Sequence, residues 1–122
     1  MKSVLKRAEL ASNELAQLSL KSLKLISIKI ATDNPSTGHF RLKGFLDKKD
    51  YVEIFEFYFS GKLLKYSYVY IKEKISILRY DNAPHHKELK SFPHHKHYKN
   101  KINELEKPNL KEFIRELNDL RK

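Results

Sequence analysis

Cysteine and tryptophan are both absent from this chain of 122 residues, and glycine occurs only three times. Without cysteine there is no disulfide, no thiol nucleophile and no Cys-ligated zinc, and the chain is suited to a reducing cytoplasm. Neither a glycine-rich phosphate-binding loop nor an HExxH metal motif is present, and nothing suggests a Ser-His-Asp nucleophile arrangement. Long apolar runs are missing too. Lys2, Lys6, Arg7 and Glu9 interrupt the N-terminus where a signal peptide would need one, and no stretch approaches the length of a membrane span, so no membrane association is expected. Acidic residues are in short supply, 15 against 25 Lys and Arg, for a formal net charge of +10. That imbalance favours polyanions, chiefly nucleic acid, as the partner class. Residues 103–122 hold five basic and five acidic groups, so all of the excess lies in residues 1–102 and a binding face is expected outside the C-terminal segment.

The length fits one domain, 1–122, with a single core. Val4, Ala8, Ala11, Leu15 and Leu18 recur at steps of four and three, which predicts a helix over roughly 3–20. Its heptad-like stripe fits either its own sheet or a second copy, which makes a homodimer one expectation. From Leu23 the period becomes two, with Lys24, Ile26, Ile28 and Ile30 on one side of a first strand, and DNPSTG at 33–38 has the composition of a turn. Strands follow at 39–46, 51–60, 62–72 and 75–80, separated by DKKD, Ser60-Gly61 and Glu73-Lys74. The expected fold is therefore α+β: an antiparallel meander of about five strands over 23–80, a His-rich loop over 81–107, and a helix over 109–121 packed on the sheet. Asn109 followed by Glu112 resembles a capping box for that helix, whose stripe is Leu110, Phe113, Ile114, Leu117 and Leu120.

What the chain has in abundance is histidine in one place. Residues 81–97, DNAPHHKELKSFPHHKH, hold five of the six histidines: His85, His86, His94, His95 and His97. They include two His-His pairs, each preceded by proline and nine positions apart. Clustered imidazoles exchange protons near neutrality, bind metals or face an anion. A plain loop, with Asp81 and Asn82 forming Asx turns, accounts for some of them but poorly for five. Adjacent histidines in an extended segment point opposite ways, so each pair is expected to supply one ring to a shared centre. His39 stands alone on a strand and is expected to be structural or exposed.

Arg79 and Asp81 share one side of the last predicted strand and lead into this segment. Tyr66, Tyr68 and Tyr70 share a face, as do Ile54, Glu56 and Tyr58. The plainer role for the tyrosines is a half-buried sheet face, and the functional one is base stacking or help in proton transfer. Glu56 lies in the apolar run IFEFYF, either at the surface or at a site. Phosphodiester cleavage without a metal needs a base for the 2′-hydroxyl, an acid for the leaving oxygen and cations for phosphate. His, Tyr or Glu supply the first two, Arg79 and Lys96 the third. A divalent ion, zinc or manganese, held by Asp81, His85, His94 and His97 is the alternative cofactor reading. A non-catalytic nucleic-acid-binding module is another.

RYDNAPHH at 79–86 and FPHHKH at 92–97, preceded by KYSY at 65–68, resemble the TumE-like toxin family of prokaryotic toxin–antitoxin systems, a resemblance that runs from about residue 51 to the C-terminal helix. The resemblance implies a small cytoplasmic toxin, a cognate helix-turn-helix antitoxin and growth inhibition through RNA. Carried over, it marks Glu56, Tyr66, Tyr68, Arg79, Asp81, Asn82, His85, His86, His94, His95 and His97. One departure is Val69, where relatives often place a histidine after the second tyrosine of the YSY-like motif. Chemistry and charge together give the expectation of a metal-independent ribonuclease, with a metal-dependent nuclease or hydrolase as the runner-up.

Overall fold

The computed structural model describes residues 2–18 and 25–121. Helix α1 (Val4–Leu15) precedes strands β1 (Leu25–Asn34), β2 (Thr37–Asp47), β3 (Asp50–Phe59), β4 (Lys62–Lys72), β5 (Ile75–Asp81), β6 (His95–Tyr98) and β7 (Lys101–Glu104), and helix α2 (Leu110–Leu120) closes the chain. The strands form one antiparallel sheet in the order β1 to β7, each paired with its neighbour in sequence. The α+β meander is as expected, but it has seven strands rather than about five. The two extra strands arise inside the segment read as one loop over 81–107. His95-Lys96-His97-Tyr98 alternates like a strand, and Lys99 and Asn100 take consecutive positive φ angles of 52° and 60°. Two such residues are the signature of a type I′ hairpin turn, which Ser60-Gly61 and Glu73-Lys74 also adopt. Among the strand-to-strand connections, the long one is β5–β6.

The helix expected over 3–20 is regular from 4 to 15. Val4, Ala8, Ala11 and Leu15 are its buried face, and Leu18 is buried in the turn beyond it. Ser3 caps it by accepting the Lys6 amide at 3.0 Å. The ends of the expected helix at 19–20, and Leu23 and Lys24 of the expected first strand, lie outside the described residues. Asn109 caps α2 by accepting the Glu112 amide at 2.8 Å, the first half of the predicted box, while the Glu112 side chain turns to Arg115 instead.

Both helices cover the same face of the sheet. Strand alternation sends Phe40, Leu42, Val52, Ile54, Tyr66, Tyr68, Tyr70, Leu78 and Tyr80 to that face, where they form one core with the helix stripes. Phe113 of α2 is fully buried between Tyr68 and Tyr80, with ring centroids at 5.8 Å and 5.2 Å. At the β1–β2 hairpin, Gly38 (φ +156°) has no room for a side chain, since a Cβ there would lie 2.4 Å from the Ala31 carbonyl oxygen. The other face carries no helix. It is the one that Arg79 and Asp81 occupy.

Candidate histidine cleft

Register decides which residues meet. Across β4, β5, β6 and β7 one row reads Ser67, Asp81, His95, Glu104 and the next Val69, Arg79, His97, Ile102. Antiparallel partners share a face, so Arg79, Asp81, His95 and His97 stand together on the uncovered face at the β5–β6 pair. The divergence expected within a His-His pair holds for 94 and 95: His95 begins β6 on this face, and His94 turns to the other. It does not hold for His85 and His86, which precede no strand and both line the same cleft. That cleft, about 590 Å³, is lined by Arg79, Asp81, His85, His86, His95 and His97 together with the β6–β7 turn.

Asp81 is the centre of the arrangement and is almost fully buried. Its Oδ1 accepts the Ala83 amide at 3.0 Å, closing the Asx turn, and lies 2.9 Å from His95 Nε2. Its Oδ2 accepts from Arg79 Nε at 2.8 Å and is 3.7 Å from His97 Nε2. His95, only 2% exposed, has its Nδ1 3.0 Å from the Pro93 carbonyl oxygen, an atom that can only accept. Both ring nitrogens of His95 therefore face acceptors. Neither nitrogen is turned to the open cleft, and its geometry is that of a strut between Asp81 and the loop.

The remaining rings are less committed. His97 is 38% exposed at the side chain, and burial, opposed by the nearby Asp81 carboxylate, holds its pKa below the ordinary 6.5. His86 lies edge-on to both strand histidines, with ring centroids 4.9 Å from His95 and 6.0 Å from His97, and its Nδ1 is 3.6 Å from Glu88 Oε1. His85 is exposed at the rim, 6.4 Å from His86. Arg79 points its side chain, 45% exposed, past Asp81 towards solvent. The loop bearing His85 and His86 is held by β7: Glu104 accepts the Lys90 amide at 2.9 Å and the Ser91 amide at 2.8 Å, and these bonds draw its pKa down.

Ligand atoms of His86, His95 and His97 lie within 4.8 Å of one another, the one group of metal-ligating type among the described residues. The metal set read from sequence, Asp81, His85, His94 and His97, is not brought together, because His94 faces away. Imidazoles suit zinc-like ions. To hold an ion through Nε2, His95 would have to give up its 2.9 Å approach to Asp81 Oδ1, while Nδ1 kept the outer hydrogen bond to the Pro93 carbonyl.

Several other residues marked by sequence sit on the helix-covered face. Glu56 is buried and accepts from Tyr58 at 2.7 Å and from Tyr68; burial raises its pKa against the pull of those bonds. Tyr66 is buried, its hydroxyl 2.8 Å from His94 Nδ1, and burial raises its pKa, as it does that of Tyr68. Burial, with neighbouring His95, lowers that of His94. Lys96 pairs with Glu116 of α2 at 3.1 Å, on the face opposite Arg79. Asn82 is spent on backbone, accepting the Tyr66 amide at 3.1 Å and donating to the Leu64 carbonyl at 3.0 Å. His39 is exposed on the open face, 5.8 Å from Phe55.

A family model described as Toxin TumE matches residues 15–121. The chain belongs to the TumE toxin family. Membership makes it a toxin component and implies a cognate antitoxin as its partner. No curated protein and no solved structure gave a match. Among the described residues no helix is long and apolar enough to cross a membrane. Val69 is the cross-strand partner of Arg79, in the row that continues to His97. Two features escaped sequence reasoning: the β6–β7 hairpin that clamps the loop, and the open-face aromatics of β3. The alternation HKHY followed by Lys-Asn was the available signal for the first.

Proposed function

We propose that this TumE-family toxin cleaves RNA at the histidine cleft, without a metal, by acid–base catalysis between His97 and His86. The observation that carries the reading is the convergence of His86, His97 and Arg79 on one open cleft behind which His95 and Asp81 form a rigid support. His97, held below its ordinary pKa, is neutral near pH 7 and takes the 2′-hydroxyl proton. The 2′-oxygen attacks phosphorus as the bond to the 5′-oxygen breaks. His86, whose Nδ1 lies 3.6 Å from Glu88 Oε1, is the acid that gives a proton to that leaving oxygen. Products are a 2′,3′-cyclic phosphate and a 5′-hydroxyl. Arg79 faces the charge gathering on the phosphate oxygens. The net charge of +10 favours RNA as the substrate, and a reducing cytoplasm, with a helix-turn-helix antitoxin, is the proposed setting. Purified protein is expected to cut RNA in EDTA, and His86→Ala to lower the rate by about a hundredfold. Activity unchanged in both His86→Ala and His97→Ala would remove the assignment.

A second reading, a metal-dependent nuclease, is favoured by one observation, the 4.8 Å grouping of His86, His95 and His97. Elemental analysis of untagged protein separates the two. A stoichiometric zinc-like ion, lost in His86→Ala together with an EDTA-sensitive activity, belongs to the second reading only.

A further inference from the structure

We infer that the open face of β2 and β3 is a stacking track for unpaired RNA bases, leading into the histidine cleft; it deepens the RNA-cleavage reading and rests on it for the identity of the substrate. This face repeats one unit twice. Phe45 and Tyr51 pair at 5.7 Å, with the Lys43 ammonium 4.4 Å from the Tyr51 ring centre. His39 and Phe55 pair at 5.8 Å, with the Arg41 guanidinium 4.6 Å from the Phe55 ring centre. Tyr51 and Phe55 are four residues apart on one strand, about 13 Å. The second unit lies in the row that ends at the site: Arg41, Phe55, Ser67, Asp81 and His95 are successive cross-strand partners. Three strand spacings, about 14 Å, separate Phe55 from His95.

Both helices lie on the other face, so these half-buried rings are not core side chains. Aromatic rings under cations suit nucleobases and their phosphates, because every base has a face to stack and a backbone charge to neutralise. Glu53 offsets part of this by pairing with Arg41, as Asp81 does by pairing with Arg79; Lys43 over the Tyr51 ring and the 45% exposed Arg79 side chain still supply positive charge on this face. A protein partner fits less well, since lysine is depleted from the centres of protein interfaces. Duplex RNA is also disfavoured, because its bases are already stacked on each other.

The test uses the full chain in EDTA and a fluorescent 2′-O-methyl oligoribonucleotide, which lacks the attacking hydroxyl and stays intact. The single strand is expected to bind at least about tenfold more tightly than the same length as duplex, and Phe55→Leu and Tyr51→Leu to weaken it by about tenfold each. Phe55→Tyr, which keeps a stacking ring, should bind like the parent, which separates stacking from loss of fold. Equal affinity for duplex, or Leu variants that bind unchanged, would overturn the track. So would an oligonucleotide that fails to bind while the antitoxin shields Tyr51 and Phe55 from hydrogen exchange. Single-strand binding with no cleavage of ordinary RNA would keep the track and remove the nuclease reading. Cleavage with unchanged binding in both Leu variants would do the reverse.

Discussion

The two faces of the sheet carry similar chemical inventories and opposite fates. On the covered face Glu56, Tyr58, Tyr68, Tyr80, Lys96 and Glu116 bond to one another: Tyr58 and Tyr68 donate to Glu56, and Tyr80 and Lys96 to Glu116. Those polar atoms are spoken for beneath two helices. On the open face Asp81 and His95 close their own bonds, but His86, His97 and Arg79 keep atoms turned to a cleft. A polar group inside a fold stabilises only when its partners are inside too, and a group that acts on a substrate must leave a partner missing. Exposure of unused hydrogen-bonding capacity, more than residue type, separates the candidate site from the support.

The largest effect expected from this contrast is on the covered side. Phe113→Ala removes a fully buried ring between Tyr68 and Tyr80 and is expected to cost about 3–5 kcal/mol of stability in denaturant titration. The surviving folded fraction should keep its specific RNA-cleaving rate. His97→Ala should do the converse, lowering the rate by about a hundredfold while moving stability by no more than about 1 kcal/mol. A His97→Ala protein that is active but unfolds easily would erase the distinction between the faces.

Smaller effects sharpen it. Tyr68→Phe leaves one oxygen of the buried Glu56 without its donor and should cost about 1–3 kcal/mol, again without changing the rate. Glu56 itself gives a pH signature. Its folded pKa is raised above the ordinary 4.5, so between those values the native state holds more protons than the unfolded chain. Its contribution to stability therefore falls as pH rises from about 4.5 through the raised value. Relative to the parent, Glu56→Gln should gain in melting temperature over that window and be level below it. A difference independent of pH would mean that the carboxylate is not buried as described.

Much of this was legible in the sequence, for identifiable reasons. Period-two runs and Gly- or Lys-containing turns marked β2 to β5, and the steps of four and three marked both helices. The site was legible as a segment, since five histidines beside Arg79 and Asp81 exceed what a loop requires. What could not be read was the assignment of faces within it. His94 and His95 differ in role only because β6 starts at His95, and Lys96 parts from Arg79 only because Tyr80 is its cross-strand partner. A short strand of four residues has too few alternations to be told from loop, and its two-residue turn uses Lys99 and Asn100 without glycine. Glu56 could be placed on a strand but not on a face, because one helix-covered face looks the same in sequence as the opposite arrangement.

The central claim is that function sits with the open-face imidazoles and not with all five histidines of the motif. The most direct measurement is the initial rate of RNA cleavage in EDTA for His97→Ala and His94→Ala, prepared and assayed together with folding verified. The account predicts a loss of about a hundredfold for His97→Ala and a rate within about threefold of the parent for His94→Ala, whose ring meets Tyr66 on the other side. A collapse in His94→Ala with His97→Ala near the parent rate would contradict it.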